Sequence, residues 1–173
     1  VGLLVIENEE HARSRGVKIY GYILGYSLVG RSSKGDGSED LKRTVDMTLE
    51  GRESISIDYL SGAGNSSKTL DTLEAEGIKK TFPTQYLQIP VSSIKSMVGE
   101  AIASGGMRMV ANVLSLESGF VPPTINYLNP DPNCDLHYVV NRKLDREIGT
   151  ILHLGISPES CFSSILVGVE WSG

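Results

Sequence analysis

Strand-like runs of aliphatic and aromatic residues alternate along this chain with helix-spaced apolar patterns, and that alternation restricts it to a layered α/β architecture. Residues 1–6 and 19–29 read as strands, rich in Ile, Leu, Val and Tyr and bounded by glycine. Residues 40–49 predict a helix, 56–60 a short strand, and 68–82 a helix whose Leu70, Leu73, Ile78 and Phe82 recur at the spacing of a face packed on a sheet. A strand at 87–91 leads through a loop carrying Lys95 into a long helix at about 98–117. Gly105 and Gly106 inside that helix are costly relative to alanine, which predicts close packing against a neighbour. A proline-rich loop crosses 121–132, and strands at 138–140, 149–153 and 163–169 complete the pattern. Helices layered on a sheet satisfy all of these segments.

Composition narrows the class without naming it. The 173 residues are 40% hydrophobic and 21% charged, enough for one domain with a substantial core. A formal net charge of −5 and no basic run oppose nucleic-acid binding, which needs clustered Lys and Arg. The apolar stretches are strand-length or interrupted, so no bilayer span is expected, and the start lacks the charged-then-apolar pattern of a signal peptide. Cys134 and Cys161 read as free thiols rather than a disulfide framework, and the cytosol is the expected compartment. The Gly/Ser-rich segment 31–39 reads as a mobile loop; a phosphate-cradling role would need a Walker lysine that is absent.

Several ordered motifs carry more. They begin with Leu4-Val5-Ile6-Glu7, Glu9-Glu10-His11-Ala12-Arg13-Ser14-Arg15-Gly16 and Lys18-Ile19-Tyr20-Gly21. Ile57-Asp58-Tyr59-Leu60-Ser61-Gly62-Ala63-Gly64-Asn65-Ser66-Ser67 follows, then Asp71, Glu74 and Ile78-Lys79-Lys80-Thr81-Phe82. Val91-Ser92-Ser93-Ile94-Lys95-Ser96-Met97-Val98-Gly99-Glu100, Pro122-Pro123-Thr124-Ile125-Asn126 and Asn129-Pro130-Asp131-Pro132-Asn133-Cys134-Asp135-Leu136 complete the series. In this order they resemble the C-terminal half of β-ketoacyl synthases of the thiolase superfamily, over nearly the whole chain.

That resemblance implies a thiolase-like α/β fold, a C-terminal half-domain over residues 1–173 with a mixed sheet packed between helices. It also implies a chain cut from a protein roughly twice as long, whose nucleophilic cysteine sits in the other half. Val1 opens inside a strand-like run with no initiator Met and no cap or turn before it, which agrees.

In active members two histidines support decarboxylation of the malonyl donor and stabilise the enolate; here those places hold Ala63 and Glu100. Alanine can donate no proton, and an ionised glutamate would repel the enolate. Losing one such donor typically costs about 10²–10³ in rate. Lys95 matches the retained active-site lysine; it either orients a carboxylate or carbonyl, or pairs with Glu100 or another buried acid. A sharper alternative gives Glu100, its pKa raised by burial, the role of a new general base.

Where the family carries a glycine-rich gating loop, this chain reads Ile156-Ser157-Pro158-Glu159-Ser160-Cys161-Phe162, and proline should stiffen it. The pattern resembles the chain-length-factor branch, the noncatalytic partner of a ketosynthase. It implies a ketosynthase subunit or a homodimer partner, acyl carrier protein, and neither cofactor nor metal. Two alternatives remain: a thiolase-fold acyltransferase that uses Glu100, and a pseudoenzyme dimerisation scaffold. Elsewhere, His11, His137 and His153 lack ligand partners at zinc spacing. Cys134 reads as structural and Cys161 as inert. Met97, Met107 and Met109 read as core filler.

Overall fold

A computed structural model of the chain describes residues 2–32, 37–101, 104–157 and 161–169. Five of its strands form one sheet: β1 (Tyr22–Gly30), β2 (Tyr59–Ser61), β3 (Val91–Ser92), β6 (Thr150–Ile156) and β7 (Cys161–Gly168), in the order β1-β7-β6-β2-β3. β7 runs antiparallel to both β1 and β6, whereas β6, β2 and β3 are parallel. The sheet is therefore mixed, as the resemblance implies. A separate antiparallel pair joins β4 (Phe120–Val121) to β5 (Leu144–Asp145).

Both faces of the inner strands are covered, so consecutive residues there are apolar rather than alternating. Leu60, Leu152, Leu154, Phe162 and Leu166 point to one side, against Leu41 and Val45 of α2 (Ser38–Leu49) and Leu73 and Ile78 of α3 (Lys68–Thr81). Tyr59, Ile151 and Val167 point to the other, against Leu116 of α5 (Ser104–Ser118) and Val121. α2 approaches β1 closely because Gly25 lies under it: a Cβ there would stand 2.3 Å from the Thr48 carbonyl oxygen. Ser27 fills the next inward position, donating to Thr44 O at 2.6 Å.

The short helix α1 (Glu9–Ser14) starts where Asn8 accepts from the Glu10 amide at 2.8 Å, with Glu9 and Glu10 in the first turn. The helices expected at 40–49 and 68–82 are present with ends shifted by a residue or two. Other expectations need correction. Residues 2–6 form no strand; Leu3, Val5 and Ile6 are exposed, and among the described residues no neighbouring strand pairs with them. The strand expected at 87–91 shrinks to Val91–Ser92, because Gln88 and Ile89 donate their amides back to the Gln85 carbonyl in turns.

The long helix at 98–117 is two elements, α4 (Lys95–Val98) and α5, and Lys95 lies on a helix rather than in a loop. Gly99, at φ +80°, ends α4 in a conformation most residues avoid. The close packing expected at the glycine pair occurs at Gly106, where a Cβ would stand 2.9 Å from Gly2 O, and not at Gly105, which faces open space. Residues 138–140 make only isolated bridges, Val91 with Tyr138 and Thr124 with Val140. Met97 is exposed; Met109 packs against the second core. Of the loop expected at 31–39, residues 33–36 lie outside the described residues, as do Pro158, Glu159 and Ser160 of the stiffened loop.

Candidate functional site

The site gathers where β2 ends. Its last residue, Ser61, is followed by Gly62, Ala63 and Gly64, and the chain then turns into α3 through Ser66 at φ +69°. Three loops are stitched together here. Ser93 Oγ donates to Gly64 O at 2.8 Å, the Ser93 amide donates to Thr124 Oγ1 at 2.9 Å, and the Ile125 amide donates to Ser96 Oγ at 2.9 Å. The segments carrying Ala63, Lys95 and the Pro122–Asn126 motif therefore form one rigid rim.

Lys95 and Glu100 meet on that rim. Lys95 Nζ lies 2.7 Å from Glu100 Oε2; the lysine side chain is 8% exposed and the glutamate 52%. The turn at Gly99 folds residue 100 back onto the first residue of α4, which five-residue spacing on a continuous helix would not do. Glu100 is thus half exposed and ion-paired rather than buried.

Ala63 is buried and presents only a methyl group. Its amide donates to Glu74 Oε1 at 2.5 Å, and the Asn65 amide donates to Asp71 Oδ1 at 3.0 Å. Burial pushes the carboxyls of both Glu74 and Asp71 above their usual range, and these amide bonds pull the other way. A small recess, with room for about one water, opens beside them, lined by Ala63, Gly64, Asn65, Leu70, Asp71, Glu74 and Ile156.

Beneath the rim lie groups that the motif reading does not single out. Arg108, on α5 and 3% exposed, donates through Nη2 to the carbonyls of Ser61 at 2.9 Å, Gly62 at 2.6 Å and Leu154 at 2.7 Å. It ties α5 to the ends of β2 and β6. Next to it His153 Nδ1 lies 3.1 Å from Asn112 Nδ2 and 3.3 Å from Ser61 Oγ. With the Asn112 NH₂ as donor, His153 Nδ1 is the acceptor and the neutral ring's proton sits on Nε2. The signal for these groups was a polar stripe, Ser104, Arg108, Asn112 and Ser115, at helical spacing, and all four are buried.

Burial, reinforced by the charges of Arg108 and Lys95, holds His153 well below the ordinary imidazole value. Below pH 6.5 the unfolded chain takes up a proton at this residue that the folded chain refuses, so stability falls as pH falls through that value. The expected contribution is about 1.4 kcal/mol per pH unit below pH 6 until the folded ring titrates. Denaturant midpoints of the parent and His153→Gln proteins, compared from pH 7 to 5, measure it: the parent should show the steeper slope, and equal slopes would overturn the assignment.

The other candidates are dispersed. His11 is exposed and bonded to Glu7 at 2.5 Å, and His137 is exposed on a loop. Cys134 is buried, its thiol pushed up by burial, and Cys161 is half-buried in β7. Among the described residues no group of three or more His, Cys, Asp or Glu is placed to hold a metal ion, and no helix is long and apolar enough to cross a membrane.

The family described as Beta-ketoacyl synthase, C-terminal domain, matches residues 29–128. A 3-oxoacyl-[acyl-carrier-protein] synthase 2 of Coxiella burnetii is 35% identical over 156 residues, 86% of this chain but 38% of that protein. Among solved structures, a chain from a type II polyketide synthase acyl-carrier protein in complex with its ketosynthase, bound to the hexaketide, superposes with a TM-score of 0.87. It is 34% identical and covers 95% of this chain and 42% of its own. A chain of the ishigamide ketosynthase/chain length factor also gives 0.87, at 26% identity, covering 94% of this chain and 41% of its own. The chain thus spans about two-fifths of the relatives it matches, and with its mixed five-stranded sheet, layered helices and ordered motifs it belongs to the β-ketoacyl synthase family, of which it carries the C-terminal domain.

Proposed function

We propose that the chain is the C-terminal domain of a noncatalytic, chain-length-factor-like subunit that works beside a ketosynthase in polyketide or fatty-acid-type chain elongation, in the cytosol. One observation carries this reading: the Lys95 ammonium is held at 2.7 Å by Glu100, while Ala63 leaves a methyl group at the other motif position. A lysine bonded in this way has its charge engaged within the protein, and neither neighbour can donate a proton to a developing enolate. In this reading the partners are a ketosynthase subunit, or a second copy in a homodimer, and a malonyl-loaded acyl carrier protein. The likeness to the ketosynthase/chain length factor structure supports such a pairing. The alternative of an altered acyltransferase asks Glu100 to be a general base, and its exposure and ion pair count against that role.

The test is a condensation and malonyl-decarboxylation assay on the full-length protein with malonyl-loaded carrier protein, alone and mixed with its candidate ketosynthase. Activity in the mixture only supports a partner subunit; activity of the protein alone sinks this reading and makes Glu100 the next residue to change. In a full-length protein with cysteine at the nucleophile position, the double substitution Ala63→His and Glu100→His is expected to raise malonyl decarboxylation by about 10²-fold, the scale of one restored donor. No gain there would count against these two positions as the cause of inactivity.

A further inference from the structure

Lys95 and Glu100 share their ion pair unequally. The lysine side chain is 8% exposed and the glutamate 52%, so the ammonium lies within the rim and its counter-ion reaches it from the solvent side. The two residues are also held with different firmness. Lys95 opens α4, whose Ser96 accepts from the Ile125 amide and which follows directly on the Ser93 cross-links to Gly64 and Thr124. Glu100 belongs to no helix or strand; it stands between Gly99 and Ala101, both exposed, and a Cβ on Gly99 would meet nothing within 4 Å. Among the described residues, Lys95 is the one group within bonding distance of the Glu100 carboxylate.

The interior offers Lys95 no ready substitute. Its charge reaches Asp71 and Glu74. Asp71 Oδ1, however, accepts from the Asn65 amide at 3.0 Å and Glu74 Oε1 from the Ala63 amide at 2.5 Å, so each would give up an amide bond to turn toward the lysine. A mostly buried ammonium is costly to leave without a counter-ion. An anion arriving at the rim when Glu100 is out is therefore drawn to Nζ. An ion pair that water can reach contributes little by itself; what favours Glu100 over a dissolved carboxylate is its tether, which keeps it at high local concentration.

We propose that Glu100 is a displaceable, tethered counter-ion: it fills a carboxylate site at Lys95, and that site takes the carboxylate of another molecule when Glu100 swings out about Gly99. The contact is then a built-in plug, and its release is a form of regulation. This rests on the reading above that Glu100 engages the Lys95 charge, and adds that the engagement is reversible. Its test involves no acyl transfer, so a failure here leaves the noncatalytic-subunit reading standing.

Glu100→Ala removes Cγ and the carboxyl group, the heavy atoms of one acetate ion, so acetate is the probe. Thermal unfolding of the full-length protein at pH 7 is followed as acetate replaces chloride at constant ionic strength. In Glu100→Ala, acetate should raise Tm saturably with an apparent Kd on the order of 10 mM. Glu100→Ser, which keeps a polar residue at this half-exposed position, should behave alike. The parent should need about tenfold more acetate or give no saturation, because the tethered carboxylate competes. Adding Lys95→Met to Glu100→Ala should abolish the saturable shift. No saturable shift in either single variant, equal half-saturation in the parent, or a shift that survives Lys95→Met would each overturn the proposal.

Discussion

Replacing Arg108 by methionine is expected to lower the folding free energy of the full-length protein by about 3–5 kcal/mol. The usual doubt about buried ions is that a well-packed apolar residue can replace them at little cost. That doubt applies when both partners can be replaced. Here the acceptors are the main-chain carbonyls of Ser61, Gly62 and Leu154, which no substitution at position 108 removes. Each carbonyl left unpaired in the interior costs about 1–3 kcal/mol. Glu74 would also lose a cation that now favours its ionised form, so its carboxyl would rise further. Urea denaturation checks this through a shift in midpoint at unchanged slope. A loss below about 1 kcal/mol would mean that other donors take over the three carbonyls.

Phe162→Ala is the second large effect, about 3–5 kcal/mol. Phe162 is fully buried on β7 and packs in the cluster formed with Leu41, Leu73 and Leu154. Its ring also lies against the backbone at Gly37, where a Cβ would stand 3.1 Å from Phe162 Cζ, so the start of α2 rests on it. Backbone at a helix start cannot collapse into a cavity as a flexible side chain can. Phe162→Leu, which keeps most of the volume, should cost less than half as much, and the ratio of the two denaturation shifts separates cavity formation from a general loss of the strand.

The parts of the fold that a sequence can reveal are those whose pattern is set locally. Leu41 and Val45, or Leu73 and Ile78, lie on one helix face by spacing alone, and α2 and α3 follow within two residues of expectation. What fails depends on something outside the local pattern. Residues 2–6 have strand composition, yet pairing needs an edge, and none is supplied to them among the described residues. The apolar period reads straight through Gly99, whose positive-φ backbone separates α4 from α5.

The same division holds at the site. Ala63, Lys95 and Glu100 stand out because they interrupt or retain a motif. Nothing in the spacing of Lys95 and Glu100 says that their side chains meet; the turn at Gly99 decides it. Arg108 and His153 come from a helix and a strand separated by loops, and only the packing of α5 on β6 brings them together. A polar stripe on an otherwise apolar helix is the one trace of this arrangement in the sequence.

The strand order has a consequence for how the molecule is made. β1 and β2 never touch; β7 and β6, near the far end of the sequence, stand between them. Ser27 must wait for Ser164 before β1 has any neighbour, and Leu60, which can pair earlier only with Val91, must wait for Leu152 before β2 is enclosed. On a ribosome, α2 and α3 would emerge with their apolar faces turned toward a sheet that does not yet exist. Closure over such long chain separations is slow, so the late hairpin of β6 and β7 acts as a wedge whose arrival converts a loose intermediate into a folded domain. Until then the nascent segment is a natural client for chaperones.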